Sequence, residues 1–160
     1  MNKATLSGTS VAVAAASGLG SLASRTRSDR WYARLRKPTY VPPNYVFPVA
    51  WTTLYVDIAV SCAAAIDRLA AEEGRQAQAP RLRTALAANL IINAGWSWLF
   101  FRYHKLGASA VGAALLTVSS ADLVRRVGQV NPRAGVALAP YPLWCAFATA
   151  MSTHIWWLNR

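Results

Sequence analysis

Apolar residues are gathered into five long spans that carry almost no charge. The spans lie at about residues 4–24, 46–66, 84–101, 107–124 and 135–158. Asp57 and Asp122 are the only charged residues inside them. Each span is close to the ~20 residues that cross the hydrocarbon core of a bilayer. The pattern predicts an all-α, polytopic membrane protein: one domain over residues 1–160, built as a bundle of five transmembrane helices.

The first span has the weakest apolar pattern of the five. It holds few large aliphatic residues, and the preceding MNK could be the basic start of a cleaved signal peptide. Its many Gly, Ala and Ser residues, however, are the small residues through which membrane helices approach closely. We therefore expect a retained helix, with a signal peptide as the alternative.

The basic residues lie in the connections between the spans. The chain has 17 Lys and Arg against six Asp and Glu, and its formal net charge is +11. In a soluble protein this balance would suggest a nucleic-acid partner, but membrane proteins place Lys and Arg in their loops. We expect the bilayer as a partner and no nucleic acid. The densest basic cluster lies in the first connection, which favours a cytoplasmic loop 1 and a cytoplasmic C-terminus; its members are Arg25, Arg27, Arg30, Arg34, Arg36 and Lys37.

Loop 1, over residues 25–45, is rich in proline. Pro38, Pro42 and Pro43 lack a backbone donor and fix φ, so they disfavour helix around them. Pro48 falls in the first turn of the next span, where a missing N–H is harmless. The sequence predicts a stiff, partly extended lid over the bundle, with Pro42 and Pro43 as its lid residues.

Aromatic and amide side chains follow helical spacing inside three spans. Asn93, Trp96 and Phe100 share one helix face, and Trp51 with Tyr55 and Trp144 mark similar faces of two other spans. Two unpaired asparagine amides, Asn89 and Asn93, would be costly against lipid, so these faces point inward. Aromatic rings could simply fill the core, or they could wall a ligand cavity with sparse polar groups. The residues alone leave both interpretations open.

Two acidic residues lie within the spans. Asp57 is near mid-bilayer, where an acid is costly, but its direction is about 120° from that of Trp51 at ~100° per residue. We expect a structural or protonated Asp57 that points away from the cavity, with a proton or ion role as the alternative. Asp122 precedes Arg125 and Arg126 by one turn, which predicts an interfacial ion pair.

Two histidines fall on the same membrane face, His104 in loop 3 and His154 near the end of the last span. They could ligate haem iron, although interfacial histidines are the commoner case. The sequence holds no Ser/His/acid set, no paired carboxylates and no Cys/His metal cluster. We therefore expect no metal site and no conventional catalytic site.

Three motifs resemble those of a known family. RWYARLRKPTYVPPNYVFPVAWTTLY around loop 1, NAGWSWLFF in the third span and PYPLWCAFATA in the fifth are similar to the tryptophan-rich sensory protein / translocator protein family, also called the peripheral-type benzodiazepine receptor. The motifs occur in the family's order and at its distances. The resemblance covers residues from about 30 to the end of the fifth span.

The resemblance implies a five-helix bundle, often a homodimer, that binds protoporphyrin IX, sterols and benzodiazepine-site ligands. It also implies tetrapyrrole handling and a stress response. By motif position it implies these pocket residues: Tyr32, Trp51, Tyr55, Asn93, Trp96, Trp144 and Ala148. The helical stripe described above adds Phe100 to this set.

The function expected from the resemblance is binding of porphyrin-type tetrapyrroles or other hydrophobic molecules, with no required cofactor and a regulatory, stress-sensing or scavenging role. One alternative is a transporter of porphyrin or sterol-like ligands. Another is a light- and oxygen-dependent enzyme that degrades porphyrin, in which Trp51 and Trp144 would be electron donors.

Several positions depart from the family pattern. Tyr40 and Tyr45 stand where tryptophans are common, and Gly112 replaces an acid. In the sterol-associated motif of the last span, Thr153 occupies the tyrosine position and Trp157 the basic position. The motif is incomplete, which argues against sterol binding through it.

Overall fold

The computed structural model describes residues 1–24 and 28–160, and its regular structure within them is helical. The helices are α1 (Lys3–Ser24), α2 (Ser28–Arg34), α3 (Val46–Ala71), α4 (Gln78–Ser97), α5 (Leu106–Val130), α6 (Pro132–Leu138) and α7 (Pro140–Leu158). A π-helical turn at Trp98–Arg102 continues α4. Five segments are long and apolar enough to cross a membrane: α1, α3, α4 with its π turn, α5, and α6 with α7. The prediction of an integral, multi-pass, all-α membrane protein is confirmed.

Three helices run beyond the predicted spans. The span 46–66 is extended to Ala71, 84–101 begins at Gln78, and 107–124 continues to Val130. Each of these predicted ends lies next to the first charged residue beyond the apolar span. A charged residue does not by itself terminate a helix. Long basic side chains near helix ends extend along the helix to reach water, so regular hydrogen bonding continues through the interface.

Loop 1 contains helix α2, which the proline-based prediction of an extended segment omits. Trp31 and Tyr32 are half-buried whereas Arg30 and Arg34 are exposed, so this short helix is amphipathic. It ends before Pro38, in agreement with the restriction that proline places on preceding residues. The predicted cluster members Arg25 and Arg27 lie outside the described residues.

The fifth span is two helices, α6 and α7, separated at Ala139. Pro140 and Pro142 cannot donate a backbone N–H to the carbonyls one turn earlier, so the regular hydrogen bonding breaks there. Asn131 caps α6 by accepting a 3.3 Å bond from the Ala134 N–H. The fifth predicted span, over 135–158, thus consists of two helices that begin at Pro132, and together they still form one apolar crossing segment.

The bundle closes through a ring of neighbouring helices. Helix α1 packs against α3 and α4, α5 packs against α4 and α7, and α6 returns against α3. The backbones of α5 and α6 approach closely, because a Cβ atom on Gly135 would lie 2.5 Å from Gly128 Cα. Helices α3 and α7 meet through aromatic rings: Trp51 with Tyr141 and Phe47 with Trp144. These rings lie between the α3 and α7 backbones near loop 1.

Candidate functional site

A cavity of about 380 Å³ lies between α1, α3 and α4, beneath α2. Its wall is aromatic along α3 and α4, and small and polar along α1. The lining residues are Ser17, Gly20, Ser21, Tyr32, Asn44, Phe47, Pro48, Trp51, Thr52, Tyr55, Trp96, Ser97, Phe100, Phe101 and Met151. The volume falls within the range of ~300–1,000 Å³ typical of small-molecule sites.

Trp51 is the centre of the aromatic wall. Its ring centroid lies 5.5 Å from that of Tyr55, one turn on in α3, and 6.4 Å from that of Trp96 in α4. Trp96 in turn stacks on Phe100 at 5.8 Å with an interplanar angle of 25°. Five of the predicted site residues therefore line one cavity: Tyr32, Trp51, Tyr55, Trp96 and Phe100.

Two consecutive phenylalanines, Phe100 and Phe101, lie in the π-helical turn that continues α4. The Tyr103 N–H bonds the Trp98 carbonyl at 2.9 Å, which is an i to i+5 pairing and widens the helix. Phe100 and Phe101 then both contact Tyr32, at centroid distances of 6.1 and 6.5 Å. In a regular α-helix these side chains would diverge by about 100°.

Tyr32 closes the loop 1 side of the cavity. The Lys37 ammonium lies 4.5 Å from the Tyr32 ring centroid and donates a 2.7 Å hydrogen bond to the Tyr32 carbonyl. Burial of the phenol raises the pKa of Tyr32 above its ordinary value. The neighbouring Trp31 stacks on His104 at 4.0 Å, which fixes α2 to loop 3.

The rest of loop 1 is attached to the end of α7. The Arg36 N–H donates to Asn159 Oδ1 at 3.0 Å, and Asn159 Nδ2 donates to the Arg36 carbonyl at 2.8 Å. Tyr40 and His154 are in hydrogen-bond contact, with 3.2 Å between the hydroxyl and Nδ1. These contacts, here called the loop 1 latch, hold the segment that carries the prolines.

The prolines predicted as lid residues do not line the cavity. Pro42 is half-buried and Pro43 is exposed, and Asn44 and Pro48 line the cavity instead. The Val46 N–H bonds the Pro43 carbonyl at 2.9 Å, so this proline precedes the turn into α3.

Asn93 is buried but does not line the cavity, because its amide is engaged within the bundle. The Tyr55 hydroxyl donates to Asn93 Oδ1 at 3.1 Å, and Asn93 Nδ2 donates to the Tyr141 hydroxyl at 3.2 Å. Tyr141 donates to Asn89 Oδ1 at 2.8 Å, and Asn89 Nδ2 donates to Ser119 Oγ at 3.1 Å. This buried hydrogen-bond chain joins the cavity wall to α5. The prediction that the asparagines face inward is confirmed, since Asn89 is 0% and Asn93 1% exposed.

Trp144 and Ala148 lie outside the lining. Trp144 packs on Phe47 at 6.1 Å and on Phe147 at 5.6 Å, behind the Phe47 wall. Ala148 is buried in α7. The eight predicted site residues are thus divided: five line the cavity, and Asn93, Trp144 and Ala148 lie outside its lining.

The sequence analysis missed the contribution of α1. Ser17, Gly20 and Ser21 line the cavity at spacings i, i+3 and i+4, which place them on one helix face. A Cβ atom on Gly20 would lie 3.2 Å from Ser97 Oγ, so the bare glycine lets α1 approach α4. Small residues at this spacing were the available signal, but it also fits plain helix packing.

Gly112 leaves the Trp96 indole without a polar neighbour. A Cβ atom on Gly112 would lie 3.6 Å from Trp96 Cδ1. Trp96 Nε1 is buried and has no hydrogen-bond partner among the described residues. Gly112 has no side chain that could accept a hydrogen bond from this buried donor.

The charged residues inside the spans lie apart from the cavity. Asp57 is half-buried, accepts a 2.8 Å bond from Ser61 Oγ and does not line the cavity, in agreement with its predicted direction. The ion pairs of Asp122 with Arg125 and Arg126 are confirmed.

The two histidines contact loop 1 separately, His104 through Trp31 and His154 through Tyr40. Within the described residues no group of three or more His, Cys, Asp or Glu side chains could hold a metal ion.

The TspO/MBR family model matches residues 9–158, nearly the whole chain. The chain belongs to the TspO/MBR family. It is 34% identical over 150 residues to Protein CrtK of Rhodobacter capsulatus, covering 93% of this chain and 89% of that protein. It is 32% identical over 133 residues to a tryptophan-rich sensory protein of Cereibacter sphaeroides, covering 83% and 79% respectively. It is also 30% identical over 142 residues to the translocator protein of Bos taurus, covering 89% and 82%.

Membership of the TspO/MBR family confirms the resemblance inferred from the three motifs. The match spans α1 as well, which the motifs alone did not reach. The cavity is therefore a feature of a membrane protein whose relatives include a tryptophan-rich sensory protein and a translocator protein.

Proposed function

We propose that the protein binds porphyrin-type tetrapyrroles, with protoporphyrin IX as the reference ligand, and serves a regulatory, stress-sensing or scavenging role. One observation carries the proposal: Trp51, Trp96 and Phe100 wall a cavity in a TspO/MBR-family bundle. Flat aromatic faces suit a flat macrocycle, since offset stacking contributes about 0.5–1.5 kcal/mol per ring pair beyond burial.

Polar groups around the cavity suit the carboxylates of a porphyrin. Asn44, Thr52 and Ser97 line it, and the Lys37 ammonium lies beside Tyr32 on the loop 1 side. Charge-assisted hydrogen bonds to a carboxylate are about twice as strong as neutral ones. The macrocycle would therefore enter with its propionates towards loop 1 and its apolar edge towards Trp51.

The three predicted residues outside the lining, Asn93, Trp144 and Ala148, also belong to the proposed site. A cavity of about 380 Å³ is near the lower end for a ligand of drug size or larger. We infer that a porphyrin separates Tyr55 from Asn93 and extends the space towards Trp144 and Ala148. The Asn93 amide, once released from Tyr55, would then bond the ligand.

Blocking the cavity tests the proposed binding. Ser17 lines it from α1, so Ser17→Phe should fill the space opposite Trp51 and weaken protoporphyrin IX binding at least tenfold. Ser10→Phe, at an exposed position of the same helix, is the matched control and should bind as wild type does. The measurement is an absorbance titration of protoporphyrin IX with purified protein in detergent. Unchanged affinity in Ser17→Phe would place the ligand elsewhere.

The second candidate function is translocation, because the Bos taurus relative carries the name translocator protein. The cavity described here lies on the loop 1 side, and transport would require access to the opposite face as well. Flux of protoporphyrin IX into sealed proteoliposomes separates the two functions: binding without flux supports a sensor or scavenger, and saturable flux supports a transporter.

Light-driven degradation is the further alternative, favoured by the position of Trp51 between the oxidisable rings of Tyr55 and Trp96. The excited porphyrin and oxygen would supply the chemistry. Illumination of the complex, followed by porphyrin absorbance, distinguishes turnover from binding, and Trp51→Phe should slow any bleaching that the protein accelerates.

The proposal includes a homodimer, as expected from the resemblance. The half-buried Asp57 lies on α3 beside the exposed Val56 and Val60, where a carboxyl group facing lipid alone would be costly. Asp57→Asn should leave porphyrin binding intact and weaken self-association. Light scattering in detergent measures the oligomer, and a wild-type protein that is monomeric at all concentrations would contradict the dimer.

A further inference from the structure

A second pocket, of about 150 Å³, lies on the membrane face opposite loop 1. It is formed where α3 ends, α4 begins and α5 ends. Its lining residues are Leu69, Gln78, Arg81, Leu82, Arg126, Gln129 and Val130. Polar side chains from two helices thus meet over an apolar floor.

The polar side of this pocket, here called the arginine pocket, carries excess positive charge. Arg126 donates through Nε to Asp122 Oδ2, and Arg125 donates to Asp122 Oδ1 at 2.6 Å. One carboxylate is therefore shared by two guanidinium groups. Arg81 faces the same pocket from α4, and no carboxylate pairs with it in the described part of the chain.

The available donors match an anion with several oxygens. Arg126 uses Nε for Asp122, which leaves its two terminal nitrogens, and Arg81 presents a whole guanidinium fork. Gln78 accepts a 3.4 Å bond from Arg75 through Oε1, and its amide nitrogen remains available as a donor. Gln129 adds a second carboxamide on α5. Planar guanidinium groups bind phosphate oxygens in pairs, which is the strongest geometry for this recognition.

The depth of the arginine pocket fits the headgroup region of a bilayer. Arg81 lies three residues after the start of α4 at Gln78, and Arg126 lies four residues before the end of α5 at Val130. At ~1.5 Å per residue, Arg81 and Arg126 lie about 4.5 Å and about 6 Å inside their helix ends, at similar depths. Leu69, Leu82 and Val130 form the floor on the bundle side. An apolar floor beneath polar groups matches the amphiphilic structure of a lipid, whereas a soluble anion has no apolar part to place on it.

We propose that the arginine pocket binds the phosphodiester of an anionic phospholipid. The phosphate lies between Arg81 and Arg126, and the carboxamides of Gln78 and Gln129 donate to its remaining oxygens. The glycerol backbone packs on the apolar floor of the pocket. A zwitterionic choline lipid is disfavoured, because its ammonium group would lie among guanidinium groups. This site is separate from the aromatic cavity and does not depend on its ligand.

Native mass spectrometry of the full chain in detergent tests the site, with phosphatidylglycerol as the probe. Arg81→Gln and Arg126→Gln should each weaken the first bound lipid about fivefold, the usual effect of one basic residue at an anionic surface. The double variant should lose more. Arg81→Lys keeps the charge but not the fork, and should recover only part of the affinity.

Arg133→Gln is the matched control, because Arg133 is exposed on the same membrane face but does not line the pocket. It should leave the affinity unchanged, and phosphatidylcholine should bind weakly to every variant. Equal losses in Arg133→Gln and Arg81→Gln would show diffuse surface charge and overturn the site. Displacement of phosphatidylglycerol by an equal concentration of inorganic phosphate would show a free-phosphate site and overturn the lipid assignment. A double variant that binds as tightly as wild type would refute both.

Discussion

Asn93 has a polar side chain that is fully enclosed by the bundle. An amide in such surroundings is costly unless its oxygen and nitrogen are both paired. Tyr55 supplies the donor and Tyr141 the acceptor, and Tyr141 also donates to Asn89. Each member of this chain therefore depends on its neighbour, and the chain fixes the rotation of α3, α4 and α7 relative to one another.

Removal of the Tyr141 hydroxyl should destabilise the protein more than removal of the Tyr55 hydroxyl. Tyr141→Phe leaves Asn89 Oδ1 and Asn93 Nδ2 both unpaired at a residue that is 0% exposed, which should cost about 2–4 kcal/mol. Tyr55→Phe removes one bond at a partly open position and should cost about 1 kcal/mol. Thermal unfolding in detergent, followed by circular dichroism, measures both.

Tyr45→Phe is the control for this series, because Tyr45 is 71% exposed. It should unfold at the wild-type temperature. If Tyr141→Phe unfolds at the same temperature as Tyr45→Phe, the buried hydrogen-bond chain contributes nothing to stability.

The residue pattern could predict that Asn93 faces inward but not what it meets. Helical spacing placed Asn89, Asn93 and Trp96 on one face of the helix. Because an unpaired amide exposed to lipid is costly in free energy, that face was assigned to the interior of the bundle. Tyr141 as the partner depends on the rotation of α7, which is set by packing around the break at Pro140. The separation of Trp144 from the cavity has the same origin, because Phe47 lies between them.

Elements in this bundle are positioned by close backbone contacts as well as by side chains. The helical hairpin of α5 and α6 brings Gly128 and Gly135 together without any intervening side chain. Loop 1 is held differently, by the latch that joins Arg36 and Tyr40 to α7. The first contact is permanent packing, whereas the second can open without unfolding a helix.

Alanine substitution at the two glycines of the α5–α6 contact should have unequal effects on stability. A Cβ atom on Gly135 would lie 2.5 Å from Gly128 Cα and 3.0 Å from its nitrogen, so Gly135→Ala must separate the helices at a cost of about 1–3 kcal/mol. A Cβ atom on Gly128 would lie 3.8 Å from Gly135 Cα, an ordinary contact. Gly128→Ala should thus be neutral or gain up to ~1 kcal/mol from helix propensity. Equal unfolding temperatures for the two variants would contradict the close approach.

Opening of the loop 1 latch should speed ligand release. Asn159→Ala removes both hydrogen bonds to the Arg36 backbone, and each is worth about 1 kcal/mol, or fivefold in rate. We expect protoporphyrin IX to dissociate at least fivefold faster in stopped-flow displacement, with little change in the unfolding temperature of the empty protein. Thr39→Ala, at an exposed position of the same loop, should match wild type.

The proposed lid role of Pro42 and Pro43 is tested in the same assay. Their joint replacement by alanine frees the backbone before α3, and should raise the dissociation rate by an appreciable factor through entropy alone. An unchanged rate in this double variant would assign the cover to Tyr32 and the latch rather than to the prolines.

At the scale of the whole molecule, five apolar spans with only two charged residues were sufficient to predict the fold, because a bilayer requires ~20 apolar residues for each crossing. The exact helix ends were not predictable in this way, since α3 and α5 continue past their first charges. Helix α2 was missed for another reason: an amphipathic turn of seven residues is shorter than any membrane span and lies beside prolines. The contribution of α1 to the cavity wall could not be predicted, because small residues on a membrane helix fit both close helix packing and a cavity lining.

Orientation in the membrane remains a prediction from the basic cluster in loop 1. Thr39→Cys and Gln76→Cys place single exposed thiols in loop 1 and in the connection between α3 and α4, and the native Cys62 and Cys145 are buried. A membrane-impermeant maleimide should label position 76 in intact cells, and position 39 only after permeabilisation. Labelling of both from one side would contradict the five crossings, and the reverse order would contradict a cytoplasmic loop 1.

The central claim is that a porphyrin lies against the indoles of the aromatic cavity, and tryptophan fluorescence quenching by protoporphyrin IX tests it most directly. Trp51→Phe should weaken binding by about tenfold or less, and Trp51→Phe with Trp96→Phe by more, because each stacked ring contributes ~1 kcal/mol. Trp156 lies near the C-terminal end of α7 and does not line the cavity. Trp156→Phe should therefore bind protoporphyrin IX as wild type does. The account is contradicted if the double variant binds as tightly as wild type, or if Trp156→Phe is the damaging change.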